Sequence, residues 1–213
     1  TEFLNVAQGL FFSQGYEQTS VQQIIKAVGV AKGTFYHYFD SKAAILDAIV
    51  ERMYEQRLAT LQPLLDNSQM GAIDKLQRFF DDLTAWKTGH KALMIQTLRA
   101  LYQDENVLLR EKMQVSVTRA TAPVLARIIE QGMREGVFDV EHPQETAELI
   151  IGMGQSLRRP TVDAILNAQH DADHIAALKR HIAVYKRSFE RILGMHPGTF
   201  KLIEPDVLDE WLS

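Results

Sequence analysis

The chain contains no cysteine in 213 residues, which excludes disulfides and thiolate metal sites but does not decide the compartment. No apolar run approaches the length of a membrane span, and none of the residues reads as a signal peptide. The expectation is a cytoplasmic protein with no membrane contact. Surplus positive charge is also missing. With 23 Lys and Arg against 27 Asp and Glu, the net charge of −4 argues against a protein that coats nucleic acid non-specifically. Enzyme signatures are absent: there is no nucleophile elbow, phosphate loop, dinucleotide fingerprint or thiol nucleophile, and no acidic pair stands out from ordinary helix surfaces. A non-enzyme that needs no cofactor is therefore expected. Alternating strand patterns, internal repeats and low-complexity tracts are lacking as well, which leaves an all-α chain of one large or two small domains.

What is present is concentrated in Thr19 to Lys42, TSVQQIIKAVGVAKGTFYHYFDSK. Ser20 with Gln23 three residues on has the spacing of a capping box that starts a helix. Val21, Ile24, Ile25 and Val28 then make one apolar face. Gly29 stands where the chain reverses, because glycine tolerates the positive φ of such a turn. Ala31 to Phe39 predicts a second helix of barely two turns, with Phe35 and Phe39 inward. A helix this short is marginal alone and must be held by its neighbours. Its other face carries Lys32, Thr34, Tyr36, His37 and Tyr38, with Lys42 following, all able to reach phosphates or base edges. That set suits a recognition helix in a DNA major groove better than a plain helical corner.

These residues are similar to the DNA-binding signature of the TetR family of bacterial transcriptional repressors. The positions that carry the resemblance are Phe11, Gly15, Thr19, Ser20, Gly29, Val30, Lys32, Gly33, Thr34, Tyr36, Phe39, Ser41 and Lys42, within about the first fifty residues. Two positions depart from the pattern. Ile25 replaces a usual alanine, and Ala31 replaces the usual serine cap of the recognition helix, a loss typically worth about 1 kcal/mol. The resemblance implies that Lys32, Gly33, Thr34 and His37 approach bases or nearby backbone, and that Thr19, Tyr36, Tyr38 and Lys42 hold phosphates. It also implies a homodimer on a roughly palindromic operator, released by a small hydrophobic or amphipathic effector. The division expected is a DNA-binding domain at 1–45 and a helical ligand-binding and dimerisation domain at 46–213. Residues 1–42 balance Lys26, Lys32 and Lys42 against Glu2, Glu17 and Asp40, which is little charge for a DNA-binding module. Thr1 lies almost inside the first helix, and basic arms often precede it in the family, so a missing N-terminal segment is expected.

Around this motif, residues 2–14 predict a first helix with Phe3, Ala7, Leu10 and Phe11 inward, stopped at Gly15. Ser41 caps a fourth helix over roughly 42–65, ending near Pro63, with Lys42 placed at its N-terminus to meet a phosphate. Further helices are expected at about 71–87, 90–102, 105–134, 143–168 and 173–194, with Pro123 and Pro160 kinking or dividing two of them. Ile175, Leu178, Ile182, Tyr185, Phe189 and Ile192 form a continuous apolar seam. Gly152 and Gly154, beside Leu149, Met153 and Leu157, leave room for a close approach. The pattern fits core or dimer interface equally, and the resemblance favours a four-helix dimer. Phe80, Leu83, Trp86, Met94, Leu98, Tyr102, Met113 and Met153 are adaptable side chains that fit either simple core or, as the resemblance implies, a ligand pocket.

Two other constellations favour ordinary surface. His170 and His174 in HDADH have zinc-ligand spacing, with His181 two turns on, yet Asp171 and Asp173 are also what a helix start prefers. Arg158 and Arg159 read as exposed ion pairs. The rival functions are a ligand sensor acting as an activator or with a degenerate DNA head, and a helical enzyme using the C-terminal cavity.

Overall fold

The computed structural model describes residues 2–89, 95, 98–99, 101–102, 104–166 and 172–202. Every regular element among them is helical. Helices α1 (Glu2–Gln14), α2 (Val21–Val28), α3 (Lys32–Tyr38), α4 (Lys42–Asp66) and α5 (Ala72–Gly89) are followed by a 3₁₀ turn at Asp104–Asn106. Then come α6 (Val107–Arg134), α7 (Pro143–Leu166) and α8 (Ala172–Ile192). The helix expected at 90–102 falls largely outside the described residues. No described helix is long and apolar enough to cross a membrane.

The chain forms two compact units, one of residues 1–57 with 96–117 and one of residues 58–95 with 118–213. In the first unit, Phe3, Ala7 and Phe11 of α1 meet Ile24, Phe35, and Ile45, Leu46 and Ile49 of α4 in a core to which α6 adds Leu109. Arg52 fastens α4 to α1 by donating to Asn5 Oδ1 at 2.7 Å and Gln8 Oε1 at 2.6 Å. In the second unit the core is built from Leu76 and Phe79 of α5, Leu125, Ile128 and Ile129 of α6, Ile150 of α7, and Tyr185 and Phe189 of α8. Phe200 stacks on Phe189 with centroids 4.7 Å apart, and Gln77 exchanges two hydrogen bonds with the Lys201 backbone, which fastens residues 200–201 to this core.

Of the two outcomes expected at the prolines, division is excluded: Pro123 and Pro160 lie inside continuous α6 and α7, while α4 ends three residues beyond Pro63, close to where the sequence places its end. An internal proline costs roughly 3 kcal/mol. Burial of Ala120, Ala122, Val124 and Leu125 around Pro123, and of Val162 and Ala164 beyond Pro160, packs the turns that flank each proline and offsets that cost.

For the seam in α8, burial supports the core alternative. Leu178, Tyr185 and Phe189 are buried inside their own chain, and Ile182 packs half-buried against them, so the stripe is core. Tyr185 donates to the Ile150 carbonyl at 3.2 Å, and burial pushes its phenol up to about 12. Gly154 makes room for that ring, since a Cβ there would lie 3.3 Å from the Tyr185 hydroxyl. The outward side of these helices shows different residues. Leu149 is 57 % exposed and Val184 65 %, and a Cβ at exposed Gly152 would meet nothing within 4 Å. Met153 and Leu157 are half-buried against the core.

Candidate nucleic-acid interface

The helix-turn-helix is built by local chemistry. Ser20 Oγ accepts from the Gln23 backbone N–H at 3.1 Å while Gln23 Oε1 accepts from the Ser20 N–H at 2.7 Å, which completes the capping box. Gly29 ends α2 in the left-handed region at φ 80°, and its N–H closes on the Ile25 carbonyl at 2.9 Å. Ala31 then starts α3 with no side-chain cap. The missing cap is offset by packing: Phe35 is buried, with its ring 5.7 Å from Phe3 and 5.8 Å from Phe39. Ser41 caps α4 by accepting from the Ala44 N–H at 3.1 Å.

With Phe35 turned inward, α3 presents Lys32, Gly33, Thr34, Tyr36, His37 and Tyr38 on an exposed surface. Tyr36 is 45 % and Tyr38 63 % exposed, high values for aromatic rings and a combination that packing alone does not require. Lys32 Nζ stands 5.7 Å from the Tyr36 ring centroid, one helical turn away, so cation and phenol are oriented together. The Tyr38 ring leans on Phe3 at 6.0 Å. At Gly33 a Cβ would meet nothing within 4 Å, so no contact inside the chain calls for a glycine there.

Lys42 and Thr19 are placed differently from the outward set. Lys42 Nζ donates to the Tyr16 carbonyl at 2.8 Å and the Glu17 carbonyl at 3.3 Å, and sits 4.2 Å from the Tyr16 ring centroid. Those two bonds leave one of its three N–H donors for another acceptor. Thr19 is 1 % exposed; its hydroxyl donates to the Gly15 carbonyl at 2.7 Å and accepts from Gln14 Nε2 at 3.1 Å. The expected phosphate contact is thereby corrected: this hydroxyl closes the α1–α2 turn. Burial, with the Glu17 and Asp47 carboxylates nearby, raises the Tyr16 phenol above its usual range.

Among the described residues, the side chains expected to line a ligand pocket are divided between the two units. Met113 packs into the first core, whereas Phe80 and Met153 pack against the second. Leu98 and Tyr102 are half-buried residues of the first unit, where Arg110 lies 5.1 Å over the Tyr102 ring. Met94 and the Leu83 and Trp86 side chains lie outside what is described. The same holds for His170, Asp171 and the His174 side chain, while no group of three metal-ligating side chains occurs among the described residues. Arg159 pairs with Asp163 at 3.1 Å on an exposed face.

One buried polar side chain escaped the sequence reading. Asn106, 0 % exposed, accepts from the Tyr16 N–H at 2.8 Å through Oδ1 and donates from Nδ2 to the Phe11 carbonyl at 3.3 Å. No local pattern announces it, because its partners stand 90 and 95 residues away.

Comparison with known proteins converges on this motif. Among curated relatives, the HTH-type transcriptional regulator UidR of Escherichia coli K12 is 29 % identical over 98 residues, 46 % of this chain and 49 % of UidR. The chain thus spans about half the length of that relative. The HTH-type transcriptional repressor KstR2 of Mycobacterium tuberculosis is 25 % identical over 141 residues, 64 % of this chain and 68 % of KstR2. Among solved structures, the transcriptional regulator FadR from Bacillus subtilis in complex with stearoyl-CoA shares the fold. Its TM-score is 0.59 at 23 % identity, over 92 % of this chain and 98 % of FadR. The family model described as bacterial regulatory proteins, tetR family, matches residues 3–49, and that of the tetracyclin repressor-like C-terminal domain matches residues 96–158. With the two models together matching 110 of its 213 residues, the chain belongs to the TetR family of bacterial regulatory proteins.

Proposed function

We propose that this protein is a sequence-specific transcriptional regulator, a repressor that binds a roughly palindromic operator as a homodimer and leaves it when a small hydrophobic or amphipathic ligand binds. The observation that carries the reading is the exposed face of α3: cation, hydroxyl, imidazole and two phenols outward, with Phe35 buried beneath. Lys32, Gly33, Thr34 and His37 face bases or the adjacent backbone in this reading, and Tyr36, Tyr38 and the remaining donor of Lys42 hold phosphates. Ser20 serves by starting α2. The DNA-reading surface falls within residues 1–45, and the effector and dimer functions fall within 46–213.

The dimer surface we assign lies on the outward side of α7 and α8, around Leu149, Gly152 and Val184. Exposed apolar side chains beside an open glycine are what close helix packing by a second copy needs. A two-fold dimer places two recognition helices about 34 Å apart, one helical turn of DNA. The amphipathic effector is supported by the ligand in the FadR complex, an acyl-CoA. Release follows only when the ligand binds the DNA-free state more tightly than the docked one. The regulators among the relatives favour a role without catalysis.

Selection of bound sequences from random duplex DNA at about 0.15 M salt, which keeps counterion-driven background low, tests the reading. A palindrome with half-sites one turn apart is expected. No enriched motif from a dimeric sample would overturn it.

A further inference from the structure

Residues 104–117 are remote in sequence from the helix-turn-helix, yet they belong to the same compact unit. Leu109 completes the head's core, Lys112 pairs with Asp47, and Ser116 Oγ donates to the Val50 carbonyl at 3.2 Å. These contacts hold the segment to α4. Asn106 does something different, because it reaches the turn between α1 and α2.

Two of its bonds fall on groups that shape that turn. Phe11 contributes one of the last carbonyls of α1, and Tyr16 is the second residue past the helix end. The Tyr16 peptide groups are then held from both sides. Asn106 takes the N–H, and the carbonyl accepts both from Lys42 Nζ at 2.8 Å and from the Thr19 N–H at 3.2 Å. The Tyr16 ring completes the arrangement between Phe11, edge-on at 5.1 Å, and the Lys42 ammonium at 4.2 Å. A buried amide thus connects residue 106 through one tyrosine to the lysine at the start of α4 and to the turn that leads into Ser20. Asparagine suits the position because one side chain supplies both acceptor and donor; aspartate lacks the donor and alanine lacks both.

We infer that Asn106 is a positioning residue for DNA reading: it latches the α1–α2 turn, so that Lys42 and the α2–α3 pair keep the geometry a duplex requires, and a displacement of residues 104–106 reaches the reading surface through this amide. The inference rests on the DNA-binding function proposed above. Its structural half, that the amide holds the turn, can be read without DNA.

The test compares full-length wild type, Asn106→Ala and Asn106→Asp well below their unfolding transitions. Hydrogen–deuterium exchange is followed at residues 15–19 and, as control, in α7. Affinity is measured for the selected operator and for a scrambled duplex. Loss of both bonds leaves the buried Tyr16 N–H without its acceptor and the Phe11 carbonyl with the Gly15 N–H, at 3.2 Å, so exchange at 15–19 should rise about 10-fold in Asn106→Ala with α7 unchanged. Operator affinity of the folded protein should fall by about 10-fold. Asn106→Asp keeps the acceptor for Tyr16 and should fall between the two. Wild-type exchange in Asn106→Ala overturns the latch. Raised exchange with wild-type operator affinity overturns the link to DNA reading, since a merely structural contact would behave that way. If the alanine variant does not fold, the same two criteria apply to Asn106→Asp. A wild type that selects no DNA sequence defeats the proposed function, and the link to DNA reading with it, while the exchange at 15–19 still decides whether the amide holds the turn.

Discussion

The head unit and the second unit reach stability by different routes. In the head, α2 and α3 have 8 and 7 residues, too short to persist alone, and they are defined by a capping box, a left-handed glycine and a few buried rings. In the second unit, α5, α7 and α8 run for 18, 24 and 21 residues and are held mainly by apolar stripes. Caps act over three or four residues, so they specify where an element begins and which side chains are left outside. A stripe specifies which face is buried and says nothing of what covers it. In the proposed function the head therefore works through residues that packing does not use, whereas the interface proposed for the second unit lies among residues that look alike in sequence.

The largest test of this contrast is Phe35→Ala. Removing a fully buried ring should cost about 3–5 kcal/mol, enough to melt α3. Thermal unfolding should fall accordingly, with operator binding lost while most helical circular dichroism survives; an intact operator complex would show that α3 does not depend on its neighbours. Next in size is Leu149→Glu with Val184→Glu. Charges on both exposed apolar positions should turn a dimer into a monomer in sedimentation velocity, with little change in the monomer's helicity. A persistent dimer would return the interface to another face.

Tyr36→Ala and His37→Ala sharpen the head alone. The first should weaken operator and non-operator DNA alike by about 10-fold, because a phosphate contact carries little sequence information. The second should narrow the gap between operator and mismatched duplexes, and equal specificity ratios would remove His37 from the reading set. Gly33→Ala separates folding from function more finely. Open space around the position predicts a fold stabilised by about 0.5–1 kcal/mol, from higher helix propensity, together with weaker DNA binding. Unchanged affinity would mean that no DNA backbone approaches there.

The smallest effect belongs to the second unit. Glu135 accepts from the Ala72 N–H at 2.9 Å and from Gln131 at 2.6 Å, and those bonds, the backbone one foremost, hold its carboxyl below the usual 4.5. A depressed folded pKa contributes stability above the unfolded value and loses it as pH falls through the folded one. Glu135→Gln should therefore lower Tm slightly at neutral pH and flatten the decline below about pH 4.5. Parallel wild-type and variant curves across that range would remove the carboxylate from the acid response.

Ser20, Gln23, Gly29 and Ser41 are legible because their partners lie within four residues, and the outward set of α3 follows once Phe35 and Phe39 are turned in. Thr19 could not be placed the same way: a threonine before a helix reads equally as a phosphate donor or as a turn closer, and only the position of the Gly15 carbonyl separates the two. The α8 seam met the same limit, since Leu178, Tyr185 and Phe189 have one spacing whether the covering surface is their own chain or a partner.

By itself the sequence determined the helical class, the caps, the recognition helix and the family, because these depend on short-range hydrogen bonding and a 3.6-residue period. The tertiary structure alone decided that residues 96–117 join the head, that the seam is core, and that Asn106 holds Tyr16. Those outcomes depend on which surfaces meet across 35 to 95 residues, and a buried contact at such a separation leaves no periodic trace in the chain.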